Sequence, residues 1–355
     1  MPIAPPLAAP RIIVIGASAG GVPGLLELAR ALPADFPAAV LVVQHIPGYA
    51  PSQLPMLLGR AGPLPARYPQ PGEVVQPGTI YVAPPDHHLL LEHDRVLTAR
   101  GPKENRFRPS ADALFRSAAY THGPRVIGVV LTGYLDDGTS GLWTVQRLGG
   151  LAVVQDPRDA YVPDMPTNAL QYVRADYVVP LAELAGLLQR LVAQPAPAAP
   201  AAVPSAELSR IGQEITLAKG DPELQVGLLP GGELVPFVCP SCHGPLVQLA
   251  EGEHLRFRCR TGHGFTLSGL LAATTEAVEN QLYAAMQTLQ ETQLLLQHVG
   301  EYHAQNGQPA TAAGFRAQAA QAGQRAQVLH EAILHQSALS ADARPAPEPT
   351  QPPPL

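Results

Sequence analysis

An apolar run that ends in a turn of small residues is the feature that most constrains the fold of this chain. Residues 11–21 read Arg-Ile-Ile-Val-Ile-Gly-Ala-Ser-Ala-Gly-Gly, so a predicted buried strand leads directly into a glycine-rich turn. Glycine allows backbone angles that residues with a Cβ avoid, and the chain can turn tightly there with its N–H groups exposed. The turn presents the hydroxyl of Ser18 at the end of a strand. Such a turn suits either a nucleophile or a phosphate site.

Short apolar runs alternate with helical stretches along the first half of the chain. Because these runs lack the alternation of a half-buried strand and are separated by helices, they predict a parallel sheet covered on both faces. The exception lies between Thr79 and Leu97, where short runs on either side of His93 and Asp94 predict a local hairpin. The expected fold class is α/β, with a doubly wound, mostly parallel sheet and helices on both faces.

The elements predicted from this pattern are short. Candidate strands are Ile12–Ile15, Ala39–Val43, Thr79–Ala83, His88–Leu91, Val126–Leu131, Leu151–Val154 and Tyr177–Val179. Candidate helices are Val22–Ala31, Ser52–Gly59, Ser110–Tyr120, Gly138–Leu148, Met165–Val173 and Leu181–Leu191.

Proline and alanine dominate residues 194–205, which read Gln-Pro-Ala-Pro-Ala-Ala-Pro-Ala-Ala-Val-Pro-Ser. Such a segment has nothing to bury, so it predicts a semi-extended linker and a domain boundary. The expected order is a sheet domain at 11–193, the linker at 194–205, a connector and small cysteine module at 206–266, a C-terminal helical hairpin at 267–336 and a disordered, proline-rich tail at 337–355.

Charge and hydropathy exclude several kinds of partner. The net charge is −6, and the sequence contains no run of basic residues and no basic patch interleaved with aromatic residues, so nucleic acid is not the expected partner. The first residues lack the basic and apolar segments of a secretory signal, and no run of about 18 apolar residues is available to span a bilayer. We therefore expect a cytoplasmic protein without direct membrane insertion.

Three polar residues follow predicted strands at the edge where doubly wound sheets bind ligands. Ser18 follows the first predicted strand, His45 the second, and Asp137 the strand that ends at Leu131. A hydroxyl, an imidazole and a carboxylate form an activated nucleophile, because the histidine takes the serine proton while the carboxylate orients and stabilises the imidazolium. The chain order Ser, His, Asp differs from those of chymotrypsin, subtilisin and the α/β-hydrolases, so the assignment depends on geometry.

Each of these residues also has a purely structural interpretation. Ser18 is then a helix cap, His45 a hydrogen-bonding residue of a loop, and Asp137, with its neighbour Asp136, the cap of the next helix. Two other functions stay open. A nucleotide- or phosphate-binding module is disfavoured, because the glycines do not follow Gly-x-Gly-x-x-Gly and a histidine stands where a ribose-binding acid is needed. The other alternative is a non-catalytic chemosensory signalling scaffold.

Several separated motifs resemble the catalytic domain of chemotaxis protein-glutamate methylesterases. The resemblance covers roughly residues 11–191. The motifs that carry it are Gly-Ala-Ser-Ala-Gly-Gly (16–21), Gln-His-Ile-Pro (44–47), Tyr-Val-Ala-Pro-Pro-Asp-His-His-Leu (81–89), Arg-Pro-Ser-Ala-Asp-Ala-Leu-Phe-Arg-Ser-Ala-Ala (108–119), Leu-Thr-Gly-Tyr-Leu-Asp-Asp-Gly (131–138) and Met-Pro (165–166).

The resemblance implies a serine hydrolase in chemosensory adaptation. Ser18 is then the nucleophile, His45 the base and Asp137 the orienting acid, and the backbone N–H groups of Ala19 and Tyr134 are the oxyanion donors. The implied substrate is a glutamate γ-methyl ester on the cytoplasmic helices of a chemoreceptor, hydrolysed through an acyl-enzyme with release of methanol. Deamidation of receptor glutamines is a second implied activity, and no cofactor is implied for catalysis.

The sequence departs from the family pattern at several positions. Ala19 stands where many members have threonine, Tyr134 where many have methionine, and Asp136 where asparagine is common. The second carboxylate beside Asp137 is expected to perturb the ionisation of the pair. Only ten residues precede Arg11, so we expect no phosphoacceptor receiver domain and no regulation through one in this chain.

All three cysteines lie in one short segment. Cys239-x-x-Cys242 and Cys259-x-x-x-His263 are two closely spaced ligand pairs, which predict a zinc-ribbon-like site. Four protein ligands leave no open position, so the expected zinc is structural. His243 is a weaker alternative to His263, because it directly follows Cys242. Three reduced cysteines without a metal are the remaining alternative.

Apolar residues recur at alternating spacings of three and four in the C-terminal region. They predict two helices that pack as a hairpin around Asn306-Gly307. This pattern favours packing within the hairpin or onto the cysteine module. The alternative is docking onto a receptor bundle, another chemosensory protein or a second copy of the chain. The residues are Leu271, Thr275, Val278, Leu282, Ala285, Leu289, Thr292, Leu296 and Val299, followed by Phe315, Ala319, Ala322, Ala326, Leu329 and Ile333.

Overall fold

The computed structural model describes residues 10–49, 51–199, 203–221 and 232–335. The chain forms two compact units, of which the first extends to Gly269 and the second begins at Leu270. The predicted tail at 337–355 and residues 200–202 of the predicted linker lie outside the described ranges. The domain bounds given above therefore remain predictions.

The secondary structure follows the predicted alternation through residue 193. In chain order the strands are β1 (Ile12–Ala17), β2 (Ala39–Gln44), β3 (Ala66–Arg67), β4 (Ile80–Val82), β5 (His88–Glu92), β6 (Arg95–Ala99), β7 (Val126–Val130), β8 (Leu151–Gln155), β9 (Tyr177–Val179), β10 (Glu233–Val238), β11 (Pro245–Glu251), β12 (His254–Cys259) and β13 (Gly264–Thr266). The helices are α1 (Gly21–Ala31), α2 (Leu54–Ala61), α3 (Ala111–His122), α4 (Thr139–Arg147), α5 (Asp164–Tyr172), α6 (Leu181–Ala193), α7 (Ser205–Lys219), α8 (Leu267–Gln305) and α9 (Pro309–Leu334).

Seven strands form the central sheet of the first unit, in the order β3-β4-β2-β1-β7-β8-β9. Every neighbouring pair is parallel. All residues of β1 and β2 are buried, as expected for a parallel sheet covered on both faces. One apolar cluster packs α1, α2 and α6 against the sheet, and the other packs α3, α4 and α5 against its opposite face. The predicted doubly wound α/β fold is confirmed, and β5 with β6 forms the predicted hairpin.

The region predicted as a polar connector contains α7, which packs against α3 and β6. Two charged residues of this helix, Arg210 and Glu214, are buried together with Ile211 and Ile215. Because charged residues interrupt its apolar stripe, α7 has only a weak signature of an amphipathic helix.

Four antiparallel strands form a second sheet, in the order β10-β11-β12-β13. Leu246, Leu249, Phe257 and Phe265 are buried in it. This sheet contains the predicted cysteine module and belongs to the same compact unit as the central sheet.

The second unit consists of α8 from Leu270 onward and of α9. Gly307 turns the chain between these helices with φ +74°, a left-handed conformation that favours glycine. Small residues let the helices approach, since a Cβ on Gly300 would lie 3.4 Å from the Cβ of Phe315. The two predicted C-terminal helices are thus present. Within the described ranges, no helix has both the length and the apolar character needed to cross a bilayer.

Candidate active site and metal-ligand cluster

The structure brings Ser18, His45 and Asp137 into one hydrogen-bonded chain. Ser18 Oγ lies 3.1 Å from His45 Nδ1, and His45 Nε2 lies 2.7 Å from Asp137 Oδ2. The side chains of His45 and Asp137 are only 4% and 1% exposed, so the pair is shielded from water. This is the arrangement that a charge-oriented nucleophile needs.

The topology of the sheet explains why these distant residues meet. β1 pairs in parallel with β2 on one side and with β7 on the other, so the carboxyl ends of the three strands lie side by side. The loops also bond to each other directly. His45 donates its backbone N–H to Ala17 O at 3.0 Å, and Ser18 donates its own to Thr132 O at 2.9 Å.

Gln44 links the loops that carry the serine and the histidine. Its Nε2 donates to Ser18 O at 2.8 Å and to His45 O at 3.1 Å. A Cβ on Gly21 would lie 2.2 Å from Gln44 Oε1, so only glycine lets the turn approach this closely. The helix-cap interpretation of Ser18 is not supported, because Gly20 is the N-cap of α1 and no side chain caps that helix.

Asp137 accepts hydrogen bonds at the N-terminus of α3. Its Oδ2 accepts from the Ala111 N–H at 2.6 Å, and its Oδ1 accepts from Ser110 Oγ at 2.7 Å and from Asn105 Nδ2 at 2.8 Å. Burial raises the pKa of this carboxyl, but hydrogen bonds from His45, Ser110 and Asn105 outweigh burial and bring the pKa below its ordinary value. The positive end of the α3 dipole favours the same ionised state.

The ionised Asp137 fixes the tautomer of His45. Because the carboxylate only accepts hydrogen bonds, His45 Nε2 carries the proton and Nδ1 is left to accept the hydroxyl proton of Ser18. Phe107 stacks on the imidazole with the ring centres 3.8 Å apart and the planes 10° apart. The stacked ring holds the orientation of the base.

The two predicted oxyanion donors belong to the loops around Ser18. Ala19 follows Ser18 directly. Tyr134 follows Gly133, and a Cβ placed on Gly133 would lie 2.6 Å from the Cβ of Ser18. The Tyr134 side chain is 60% exposed, so it stands at the rim of the site. The assignment of both N–H groups as oxyanion donors remains a prediction.

Asp136, beside the catalytic candidate, is a second buried carboxyl. It is 3% exposed and accepts a hydrogen bond from Thr266 Oγ1 at 2.7 Å. Burial raises the pKa of Asp136 to about 6, and the charge of Asp137 adds to the rise, while hydrogen bonds from Thr266 and Ser268 oppose it. The charge of Asp137 therefore adds to a rise in the pKa of Asp136 that burial mainly causes.

We expect Asp136→Asn to stabilise the protein above pH 6. The pKa of Asp136 is raised from 3.8 in the unfolded chain to about 6 in the fold, so protonation contributes stability that is complete below pH 4 and is lost as the pH rises through 6. Relative to the wild type, the free energy of unfolding of the variant should rise by about 2 kcal/mol between pH 4 and pH 8. Urea unfolding of both proteins at pH 4 and pH 8 measures the difference in unfolding free energy between the variant and the wild type. The same difference at both pH values would contradict the prediction.

A second cluster joins the four predicted metal ligands. The ligand atoms of Cys239, Cys242, Cys259 and His263 all lie within 4.8 Å of one another. The two Sγ atoms of Cys242 and Cys259 are 3.6 Å apart, and His263 Nδ1 lies 3.5 Å from Cys259 Sγ. Sulfur ligands of a tetrahedral zinc ion are separated by about 3.8 Å, so the cluster fits such an ion. The alternative histidine, His243, does not belong to it.

Two tight turns hold the ligands. Cys239 N donates to Gly244 O at 2.8 Å, and Cys259 N donates to His263 O at 3.1 Å, so each turn closes on its own ligand pair. Gly262 has φ +98°, which favours glycine in the second turn. A bound zinc ion would crosslink the two turns as a structural site without an open position.

We expect His263→Ala to lose most of its bound zinc and His243→Ala to keep it. The first variant removes a ligand atom of the cluster, whereas the second changes a neighbouring imidazole outside it. Metal analysis of both proteins, purified in parallel with the wild type, measures the zinc content per chain. Equal zinc in both variants, or less than half an equivalent in the wild type, would contradict the assignment.

Sequence reasoning missed several residues that support the triad. Asn105 and Phe107 lie in an irregular segment before α3, where no periodicity identifies a partner. Ser110 and Gln44 stand inside or beside recognised motifs, but only the fold shows that they bond to Asp137 and Ser18. The place of Gln44 in the Gln-His-Ile-Pro motif was the signal available for it.

Comparisons with known proteins agree on one family. A sequence model of the CheB methylesterase matches residues 13–188. A putative protein-glutamate methylesterase/protein-glutamine glutaminase of Leptospira interrogans is 38% identical over 180 residues, which are 50% of this chain and 93% of the relative. Protein-glutamate methylesterase/protein-glutamine glutaminase 1 of Cupriavidus pinatubonensis is 41% identical over 181 residues, which are 50% of this chain and 53% of that protein.

A solved structure gives the same result for the fold. The crystal structure of the Thermotoga maritima CheB methylesterase catalytic domain has 34% identity and a TM-score of 0.50, and the match covers 52% of this chain and 100% of the domain. The family match ends at residue 188, before the cysteine module.

Proposed function

Because the chain belongs to the CheB methylesterase family, we propose that it is a protein-glutamate methylesterase, a serine hydrolase that demethylates chemoreceptors. The observation that carries this proposal is the hydrogen-bonded chain from Ser18 through His45 to Asp137. The family motifs and the ends of neighbouring strands select the same three residues independently.

The geometry supports nucleophilic catalysis through an acyl-enzyme. Ser18 Oγ attacks the ester carbonyl carbon while His45 Nδ1 takes its proton, and Asp137 stabilises the resulting imidazolium. The imidazolium then protonates the departing methoxide, which leaves as methanol. A water molecule then attacks the acyl-enzyme, with His45 taking its proton, and Ser18 leaves with that proton as the glutamate carboxylate is released. The backbone N–H groups of Ala19 and Tyr134 are the proposed donors to the oxyanion.

The surroundings of Ser18 support a side chain of a protein as the substrate. Tyr161, next to Gly20 of the turn, is 82% exposed, and Tyr134, beside Gly133, is 60% exposed. Aromatic rings at a rim favour contact with another macromolecule. A cavity of about 300 Å³ lies instead beside Arg11, at the opposite ends of the strands.

The partner proposed from the family is the methylated cytoplasmic helix of a chemoreceptor. This partner makes a cytoplasmic location part of the proposal. Catalysis needs no cofactor, and zinc in the cysteine cluster has a structural role. The relatives' names add glutaminase activity, so deamidation of receptor glutamines is the second candidate activity. Docking of other chemosensory proteins on the C-terminal helices also remains a proposal.

The direct test uses methylated chemoreceptor fragments from the same genome. Incubation with the full chain should release methanol in proportion to the loss of methyl ester from glutamate, measured by peptide mass spectrometry. Fragments with glutamine at the same positions test for ammonia release. Absence of methanol with every methylated fragment would favour the alternative, a non-catalytic signalling scaffold.

A further inference from the structure

The cysteine module contacts the active site through its last strand. Gly264 N donates to Lys103 O at 3.2 Å, and Asn105 N donates to Gly264 O at 2.8 Å. The pairing of Glu104 with Gly264 is parallel, so residues 103–105 lie along β13 like one more short strand. The segment that precedes α3 is therefore held by the module.

The side chain of Asn105 joins this strand to the catalytic acid. Its Oδ1 accepts the backbone N–H of Thr266 at 3.1 Å. Its Nδ2 donates to Asp137 Oδ1 at 2.8 Å and to Asp112 Oδ2 at 2.7 Å. The residue is 2% exposed, and both ends of its amide are engaged. Asn105 has φ +52°, a left-handed conformation that asparagine adopts more readily than most residues.

A buried ion-pair cluster fixes how the module lies against this segment. Glu104 contacts Arg256 at 2.6 Å and Arg258 at 2.9 Å, both from β12, and Arg116 of α3 at 2.7 Å. All four side chains are at most 2% exposed. Buried ion pairs add little net stability, but a displaced module would leave buried charges unpaired. The cluster therefore allows one orientation of β12 and β13 next to Asn105.

We propose that Asn105 is a positioning residue for the triad, and that β13 of the cysteine module holds Asn105 in the place where it orients Asp137. The inference rests on the proposed hydrolase function. A second contact acts on the same loop, since Thr266 Oγ1 donates to Asp136 Oδ1 at 2.7 Å. The module thus contacts the side chain of Asp136 directly and that of Asp137 through Asn105.

The metal-ligand cluster is adjacent to this contact in the chain. His263 directly precedes β13, and Cys259 N bonds to His263 O across the turn between them. The residues that would bind zinc therefore fix the start of the strand that holds Asn105. Loss of the cluster should loosen residues 264–266 and, through them, residues 103–105.

Asn105→Gly tests the positioning role without backbone strain, because glycine tolerates a positive φ. The matched control is His93→Gly, which changes another residue with positive φ (51°) in the β5–β6 turn. We expect Asn105→Gly to lower kcat for ester hydrolysis about 10²-fold with KM changed less than about threefold, the scale of a misplaced catalytic group. His93→Gly should match the wild type, and both variants should unfold cooperatively.

A spectroscopic readout separates positioning from a general loss of structure. In the wild type, ¹⁵N NMR of His45 should show the Nε2–H tautomer, and Asn105→Gly should show a mixture of tautomers. A second pair of variants keeps the proposal testable if Asn105→Gly does not fold. Thr266→Val removes the hydroxyl and should lower kcat about 10-fold, whereas Thr266→Ser should restore it. Wild-type kcat and tautomer in Asn105→Gly, or equal kcat in the two Thr266 variants, would overturn the proposal.

Metal removal supplies an independent measurement on the whole chain. Treatment with a chelator, checked by zinc analysis, should increase hydrogen exchange in peptides covering 103–107 and 264–266 and lower kcat, and added zinc should reverse both changes. Unchanged exchange and kcat in zinc-free protein would overturn the link to the cluster. Failure of the proposed function is distinguishable, because the wild type would then show no Ser18-dependent hydrolysis at all.

Discussion

Ser18→Ala should lower kcat for release of methanol from a methylated receptor fragment by about 10⁴-fold or more. The variant removes the atom that forms the acyl-enzyme, and enzymes that lose a triad nucleophile keep only the catalysis supplied by binding and oxyanion stabilisation. KM should change little, because Oγ contributes little to binding of the substrate. Stability should also change little, since among the described residues the hydrogen bond of this hydroxyl is the one to the imidazole at 3.1 Å.

Ser209→Ala is the matched control for this variant. Ser209 is an exposed serine in α7, so the same chemical change is made away from the triad. Its kcat and KM should equal those of the wild type. Equal activity of Ser18→Ala and Ser209→Ala would contradict the assignment of the nucleophile.

Asp137→Asn should lower kcat by about 10³- to 10⁴-fold. An amide N–H facing His45 Nε2 would move the imidazole proton to Nδ1, and the base would then be unable to accept the Ser18 proton. The free energy of unfolding should also fall by about 1 to 3 kcal/mol. The groups described around Asp137 are donors, and one of them would face the amide nitrogen of asparagine. Steady-state kinetics and urea unfolding measure the two effects separately.

Asp136→Asn is the internal comparison for this prediction. It makes the same substitution one residue earlier and retains an acceptor for Thr266 Oγ1. Its kcat should remain within about 10-fold of the wild type. A loss in Asp136→Asn as large as that in Asp137→Asn would mean that the loop, rather than the carboxylate bonded to His45, limits catalysis.

The sequence was sufficient to predict that Ser18, His45 and Asp137 lie together, because parallel strands end at one edge of a sheet. Ser18 and His45 directly follow neighbouring strands, so their proximity could be inferred once the sheet was predicted. The sheet order was not predicted. β3 has two residues and leaves no pattern, and buried charges interrupt the apolar stripe of α7. Local periodicity carries no information about either feature.

The residues that hold Ser18, His45 and Asp137 in place could not be predicted, for a different reason. Asn105 bonds to Thr266, which is distant in the sequence, and Glu104 pairs with two arginines of β12. Such bonds depend on how two sheets pack against each other. In the sequence, buried charged residues of a strand also look the same as the exposed residues of a half-buried strand. The grouping of three cysteines with a histidine was predictable because the spacing within each pair is local, and the structure places His263, rather than His243, in the group.

Mapping the site of covalent labelling by a serine-directed fluorophosphonate tests the central claim most directly. The reagent reports a serine that is activated by its base, and it requires no knowledge of the receptor. The account predicts a single adduct, on Ser18, with labelling strongly slowed in His45→Ala and absent in Ser18→Ala. An adduct on a different residue, or equally fast labelling of Ser18 in His45→Ala, would contradict it.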